Sequence, residues 1–143
     1  MRAWLLDTGP LVSYLVASEK DHLKVAAQLD SFTGQLFTTT AVITETMHLV
    51  ARARKGPALL AEFVAQSELQ ILDFSEAGQL AEAARRMEKY ANLPMDYADA
   101  TLVLLAERLK VFEILTLDRR GFSVFRSSRG KRFSLLLDQP EQS

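Results

Sequence analysis

The sequence predicts an α/β protein in which a central, mostly parallel sheet is covered by helices on both faces. Two observations support this prediction. Short runs of wholly apolar residues, typical of strands buried on both faces, alternate along the chain with segments of helical periodicity. The chain also has 143 residues, which suits a single domain with one core. We therefore expect residues 1–143 to form one domain.

The first half of the chain contains two of the predicted strands and two long helices. The strands span residues 3–6 and 35–39, and the helices span residues 18–32 and 40–54. The first strand ends at the turn residues Asp7-Thr8-Gly9-Pro10, from which the chain is expected to enter a helix. Thr40 is suited to be the N-cap of the helix that follows the second strand, and Gly56-Pro57 is expected to end that helix.

The second half continues the alternation of helices and strands. The predicted helices span residues 58–66, 75–90 and 96–109, and the predicted strands span residues 69–74, 114–117 and 133–137. Ser75 is a candidate N-cap for the second of these helices, and Pro94 ends the loop before the third. The strand at 114–117 ends at Asp118, and residues 126–131 are expected to form a loop before the last strand.

The composition excludes several classes of protein. Apolar residues make up 48% of the chain, which is too hydrophobic for a disordered protein. The absence of cysteine excludes disulfide scaffolds, thiolate zinc sites and cysteine nucleophiles. The apolar run before Asp7 is too short for a signal peptide or a membrane span. We therefore expect a cytoplasmic protein without a membrane partner.

Two carboxylates directly follow predicted strands. Asp7 comes after the first strand and Asp118 after the fourth, and in an open parallel sheet the working site lies off the carboxyl ends of the strands. Each residue also has a purely structural interpretation, since Asp7 can cap the next helix and Asp118 can open a turn. Their placement at one edge of the sheet favours a shared site.

Three further acids lie on predicted helices. Glu45 falls on or beside the apolar stripe of its helix, where a carboxylate is costly unless it finds a cation or reaches water. Asp96 and Asp99 are three residues apart in the first turns of another helix, on the same face. Their spacing also resembles a capping box, in which both residues only stabilise the start of the helix.

Convergence of these acids would require a cation. Two carboxylates about 4 Å apart repel by roughly 4 kcal/mol at an effective dielectric constant of 20. Hard oxygen ligands without histidine or cysteine select Mg²⁺ or Mn²⁺ over Zn²⁺. The chemistry that follows is the metal-assisted attack of water on a phosphodiester. Other catalytic patterns are weaker, because His22 and His48 lack ligand spacing and Ser13 has no matching base.

Four acidic segments occur in a fixed order along the chain. They are Leu6-Asp7-Thr8-Gly9-Pro10-Leu11, residues 40–46 around Glu45, Met95-Asp96-Tyr97-Ala98-Asp99-Ala100, and Leu115-Thr116-Leu117-Asp118-Arg119-Arg120-Gly121-Phe122. Their order, their element types and the total length resemble the PIN-domain ribonucleases, specifically the small VapC-type toxins. The resemblance implies a three-layer α/β/α sandwich, endonucleolytic cleavage of RNA with Mg²⁺ or Mn²⁺, a homodimer, and inhibition by a cognate antitoxin.

The resemblance also implies roles for the individual acids. Asp7 and Asp99 would ligate the metal directly. Glu45, Asp96 and Asp118 would complete the acidic set or hold a second ion and its waters. The third acidic position remains open between Asp96 and Asp99, although Asp99 followed by alanine and an apolar helix is the more typical pattern.

Other residues of the last quarter fit the same picture. Thr116, two residues before Asp118, can bond a carboxylate or a metal-bound water. Six cations and no acid occur between residues 119 and 132, and they fit a surface that contacts RNA phosphates beside the metals. These cations are Arg119, Arg120, Arg126, Arg129, Lys131 and Arg132. A solvated loop that only aids solubility is the alternative interpretation.

Two other functions remain open for the whole chain. A non-catalytic RNA-binding or adaptor module would keep the fold, but such a module is expected to have lost two or more of the acids. A phosphoryl-accepting receiver-like domain shares the alternation of strands and helices. It would require paired acids after the first strand, where Asp7-Thr8-Gly9 offers one.

Overall fold

The computed structural model describes residues 2–138, and its centre is a parallel sheet of five strands. The strands are β1 (Ala3–Leu6), β2 (Gln35–Thr39), β3 (Gln70–Leu72), β4 (Glu113–Leu115) and β5 (Ser134–Leu135). Every paired strand runs parallel to its neighbour. The apolar runs of β1 and β4 are buried almost completely, as the sequence predicts for central strands of a parallel sheet.

Seven helices accompany the sheet in the described part of the chain. They are α1 (Thr8–Leu15), α2 (His22–Ser31), α3 (Thr40–Val50), α4 (Gly56–Ser67), α5 (Ala77–Lys89), α6 (Tyr97–Leu109) and α7 (Arg119–Phe122). A short 3₁₀ turn, Leu136–Asp138, follows β5. Helices and the central sheet together form the three-layer α/β/α sandwich that the sequence predicts.

The order in which the strands are added to the sheet reverses beside β1, and we call this position the switch point. The sheet has the order β3-β2-β1-β4-β5, so the chain first builds outward from β1 on one side and then returns to build on the other. At the carboxyl edge Leu6 of β1 is paired with Leu115 of β4. Ligands of open α/β sheets bind outside such a switch point, so the residues that follow Leu6 and Leu115 occupy the expected position of a site.

Helix α6 is buried against the sheet along most of its length. Its buried residues run from Ala98 to Ala106, and it packs on β2, α3 and α5. The hydroxyls of Thr39 and Thr101 form a buried hydrogen bond of 2.8 Å that joins the end of β2 to this helix. This contact holds the first turns of α6, which contain Asp99, against the carboxyl edge of the sheet.

Some helix boundaries and caps differ from those expected. Helix α3 is capped by Thr39 rather than Thr40, because the Thr39 hydroxyl accepts from the Val42 amide at 3.3 Å. Ser75 does not cap α5, since its hydroxyl donates to Asp73 and the cap is Glu76.

The element lengths also need correction. Helix α2 begins four residues later than predicted, at His22, and α3 ends at Val50 rather than near residue 54. The outer strands β3 and β5 and the inner strand β4 are shorter than predicted. The predicted turn after Asp118 contains the four-residue helix α7. Within residues 2–138, no helix is long and apolar enough to cross a bilayer.

Candidate active site

Asp7 lies at the junction of β1 and α1. Its amide donates to the carbonyl of Leu115 at 3.1 Å, which continues the pairing of β1 with β4 by one residue. Its side chain is buried and caps α1, with Oδ1 accepting from the Thr8 amide at 2.8 Å. The other carboxylate oxygen, Oδ2, accepts from the Thr116 hydroxyl at 2.7 Å. The capping role expected of Asp7 is therefore present, and it fixes the carboxylate at the switch point.

Thr116 connects the acids that follow the two central strands. Its buried hydroxyl donates to Asp7 and accepts from the Asp118 amide at 2.9 Å. The Asp118 carboxylate is half-buried, and its Oδ1 accepts from the Gly121 amide at 3.0 Å, which caps α7. A Cβ atom on Gly121 would lie 2.5 Å from Asp118 Oδ2, so glycine is required for this close approach.

Asp96 and Asp99 form a reciprocal capping box at the start of α6. Asp96 Oδ1 accepts from the Asp99 amide at 2.8 Å, and Asp99 Oδ2 accepts from the Asp96 amide at 3.2 Å. Asp96 is exposed, whereas Asp99 is 9% exposed. The capping interpretation and the site interpretation are therefore compatible, because each carboxylate uses one oxygen for the cap.

The pKa values show that these carboxylates share one electrostatic environment. The pKa of Asp7 is raised to about 6, chiefly by burial and also by the charges of Asp118 and Asp96, against the lowering effect of its hydrogen bonds from Thr116 and Thr8. Burial also raises the pKa of Asp99 to about 8, with added contributions from the charges of Asp7, Asp96 and Asp118. Acids from three separate segments therefore repel one another at the carboxyl edge of the sheet.

The charges that act on the two buried acids are negative. The described ion pairs join Arg2 to Glu113, and Arg85 and Arg86 to Glu82 and Glu107, away from this cluster. The neighbouring charges that shift the pKa values of Asp7 and Asp99 are all carboxylates. A bound cation would neutralise this concentration of negative charge.

The donor chemistry fits a hard divalent ion, although the donors are not assembled as ligands. Among residues 2–138 no three acidic or histidine side chains are placed to hold one ion. Asp96, Asp99 and Asp118 each use one carboxylate oxygen for a helix cap, so the other oxygen lies outside the cap. The buried hydroxyl of Thr8, next to Asp7, also lacks a partner there. Free carboxylate oxygens and a hydroxyl are the donors that Mg²⁺ and Mn²⁺ accept.

Glu45 lies at one side of this cluster, in a groove that it shares with Asp96. It is half-buried on α3 and is not among the charges that raise the pKa values of Asp7 and Asp99. It lines an open groove together with Asp96, His48 and Tyr97. His48 lacks the spacing of a metal ligand in the sequence, but its position one turn after Glu45 indicates that it faces the same groove.

The six cations of residues 119–132 do not form one surface beside the acids. Arg119 and Arg120 follow Asp118 directly and are exposed at the carboxyl edge. The Arg126 guanidinium Nη1 instead donates to the carbonyls of residues 123, 124 and 125, at 2.7 to 3.0 Å. Lys131 and Arg132 line a groove with residues at the starts of β1 and β4. The prediction of one surface beside the acids is therefore corrected, because Arg119 and Arg120 are the cations of this run that follow Asp118 at the carboxyl edge.

Thr116→Val is expected to destabilise the protein by about 1–3 kcal/mol, because it leaves the buried Asp7 Oδ2 and the Asp118 amide without a partner. The variant should also raise the pKa of Asp7 beyond the wild-type value of about 6, since the Thr116 hydrogen bond lowers it. Urea denaturation measures the first effect. The control is Thr44→Val, an exposed threonine whose hydroxyl bonds only within α3. Equal stability of the two variants would contradict a linking role for Thr116.

A parallel α/β/α sandwich with a carboxylate cluster at its switch point defines the class of this protein. A family model described as the PIN domain matches residues 4–126. The chain is 37% identical over 136 residues to Ribonuclease VapC26 of Mycobacterium tuberculosis, covering 92% of this chain and 98% of that protein. The chain therefore belongs to the PIN domain family, which excludes the receiver-like alternative.

Solved structures share the fold at low sequence identity. The structure of Mycobacterium tuberculosis VapC20, described as a sarcin-ricin loop cleaving toxin, superposes with a TM-score of 0.73 at 14% identity, over 81% of this chain and 90% of that chain. VapBC2 from Rickettsia felis, bound to a DNA fragment from its promoter, gives a TM-score of 0.56 at 16% identity, over 80% of this chain and 86% of that chain. Both comparisons support the three-layer architecture.

Proposed function

We propose that the protein is a Mg²⁺- or Mn²⁺-dependent endoribonuclease and the toxin of a toxin–antitoxin pair. The observation that carries the proposal is the cluster of mutually repelling carboxylates at the switch point, in a chain 37% identical to a ribonuclease. Such a cluster is unfavourable unless a cation is part of its working state. The retained acids disfavour the alternative of a non-catalytic RNA-binding module.

In this proposal Asp7 and Asp99 hold the ion, since they are the most buried carboxylates of the site. Asp96 and Asp118 add negative charge and one free oxygen each. A bound ion would activate a water molecule and neutralise charge on the phosphate. Thr116 orients the Asp7 carboxylate by its hydrogen bond and thereby keeps one oxygen of Asp7 in a fixed direction.

We propose roles in binding RNA for residues around the cluster. Glu45 borders the groove that leads away from Asp96, and we propose that RNA lies in this groove beside the site. Arg120, exposed just after Asp118, is placed to contact a phosphate next to the cleaved bond. We also propose a cognate antitoxin, a homodimer and action on cytoplasmic RNA, as the resemblance to VapC-type toxins implies.

The test is cleavage of RNA by the purified protein with Mg²⁺ or Mn²⁺ and with EDTA. We expect internal cleavage with either metal and complete loss with EDTA, because the carboxylates alone repel an anionic phosphate. Binding is measured separately by fluorescence anisotropy. Cleavage that persists in EDTA would refute the metal role, and metal-independent binding without any cleavage would favour the adaptor alternative.

A further inference from the structure

The segment after Arg126 folds into a tight turn that displays cations. A backbone bridge pairs Arg126 with Arg132, and the Gly130 amide donates to the Ser127 carbonyl at 2.9 Å. The buried Ser127 hydroxyl accepts from the amides of Arg129 and Lys131 at 3.3 and 2.9 Å. Gly130 has a φ of 83°, which glycine adopts without strain. The backbone of the turn is therefore held in a defined conformation, while its residues 128–132 are exposed to solvent.

Glu107 attaches this turn to α6. Its carboxylate accepts from the Ser128 amide at 3.1 Å and from both terminal nitrogens of Arg86, at 2.5 and 3.2 Å. Arg86 is 8% exposed, so this contact is largely shielded from water. Arg86 therefore balances the negative charge of Glu107, so Glu107 does not neutralise the positive charge of the turn.

Cations from three segments of the chain meet around this turn. Two adjoining open grooves share Lys110, Phe112 and Lys131. We call the cations that line them the amino-edge basic surface, and they are Arg2, Lys110, Arg129, Lys131 and Arg132. The acids of the grooves are Glu107 and Glu113, which are paired with Arg86 and Arg2. The surface carries a net positive charge.

This surface lies at the opposite edge of the sheet from the carboxylates. Arg2 precedes β1 and Glu113 begins β4, whereas Asp7 and Thr116 follow the ends of the same strands. At ~3.3 Å per residue, the Ala3–Leu6 strand alone separates the two edges by about 10 Å. The basic surface therefore cannot touch the phosphate that is held at the carboxylates.

We propose that the amino-edge basic surface binds the phosphodiester backbone of the RNA substrate, at nucleotides remote from the cleaved bond. The surface spreads its cations over two open grooves, which suits a chain of regularly spaced charges better than a single small anion. Phe112 between the grooves offers a face on which a base can stack. This inference rests on the proposed ribonuclease function and adds a second contact to it.

The experiment compares variants of the surface with a matched control. The variants are Lys131→Ala/Arg132→Ala and Lys110→Gly. Lys110 has a φ of 57°, a conformation that glycine favours, so Lys110→Gly removes a charge without straining the fold. The control is Lys20→Ala/Lys24→Ala, which removes two exposed cations near the start of α2. Thermal melting checks that all variants are folded.

The probe is a fluorescein-labelled single-stranded RNA of about 20 nucleotides, long enough at a charge spacing of ~3.4 Å to span both edges. In anisotropy titrations over a range of salt, each lost phosphate contact should lower the slope of log affinity against log salt by about 0.7. We expect a decrease of about 1.4 for the double variant, about 0.7 for Lys110→Gly, and none for the control. In cleavage assays of the surface variants, KM should rise about tenfold and kcat should stay unchanged. The reason is that the surface contributes the same binding energy to the ground state and to the transition state.

Single-stranded DNA of the same sequence should compete for the surface, because the contact is to phosphates. Unchanged salt slopes in both variants would overturn the inference. Oligoglutamate is used as a second probe. If the variants lose affinity for oligoglutamate but bind RNA as the wild type does, the inference is overturned and the surface is assigned to an acidic protein segment. If the wild type binds RNA but never cleaves it, the proposed function fails while the anisotropy titrations still decide this inference.

Discussion

Asp7→Asn and Asp99→Asn are each expected to lower the rate of RNA cleavage by at least about a hundredfold while the protein stays folded. Each substitution removes one negative charge from the two most buried carboxylates of the cluster and keeps the shape of the side chain. Asparagine retains an oxygen that can accept the capping hydrogen bonds from Thr8 or Asp96. The initial rate of cleavage in saturating Mn²⁺ measures the effect.

The matched control for these variants is Asp21→Asn. Asp21 is also an N-cap, but its side chain makes no capping hydrogen bond and it lies at the start of α2. We expect this variant to cleave RNA at the wild-type rate. Wild-type activity in Asp7→Asn or Asp99→Asn would show that these carboxylates serve only to start their helices.

The stability of the metal-free protein is expected to fall as the pH rises from about 4 to about 8. The pKa of Asp99 is raised to about 8 in the folded protein, from 3.8 for an ordinary aspartate, so the folded state binds the proton more tightly than the unfolded chain. Stability therefore decreases with rising pH between these values, and Asp7, with a pKa of about 6, contributes in the same direction. The total change is on the order of a few kcal/mol, at ~1.4 kcal/mol per pKa unit, with part of it shared between the repelling acids.

Two further arms of the denaturation experiment identify the source of this pH dependence. Asp99→Asn should flatten the curve and should be more stable than the wild type near pH 8, because the repulsion with Asp7 is removed. Mn²⁺ should stabilise the wild type most at high pH, by about 2.7 kcal/mol at a hundredfold excess over Kd. Urea unfolding in EDTA and in Mn²⁺ measures both effects. A wild-type curve that is flat and insensitive to Mn²⁺ would exclude a charged cluster.

The positions of Asp7 and Asp118 could be predicted from sequence because they depend on local features. An apolar run that ends in an acid places that acid at a strand end, and parallel strands bring their carboxyl ends to one edge. The choice between Asp96 and Asp99 depended on tertiary burial. Only the packing of α6 on β2 shows that Asp99 is enclosed and that Asp96 remains exposed.

The placement of the cations was missed for a different reason. Arg120 and Lys131 are near each other in sequence, and this proximity predicts one surface for the whole basic run. A parallel pair of strands requires the chain to return to the opposite edge between them, so the connection from β4 to β5 carries Lys131 and Arg132 away from the acids. This constraint follows from the predicted parallel sheet. The sequence alone therefore suffices to predict that the two ends of the basic run lie at opposite edges of the sheet.

The helix caps made by Asp96, Asp99 and Asp118 limit how tightly an ion can be held. Each of these carboxylates uses one oxygen for an amide, so at most its other oxygen can serve an ion. An ion held through single carboxylate oxygens would keep much of its hydration shell, and Mg²⁺, which dehydrates reluctantly, suits such a site better than ions that demand a full cage of protein donors. We therefore expect weak affinity and rapid exchange of the ion with solvent, so that occupancy follows the free cation concentration in the surrounding solution.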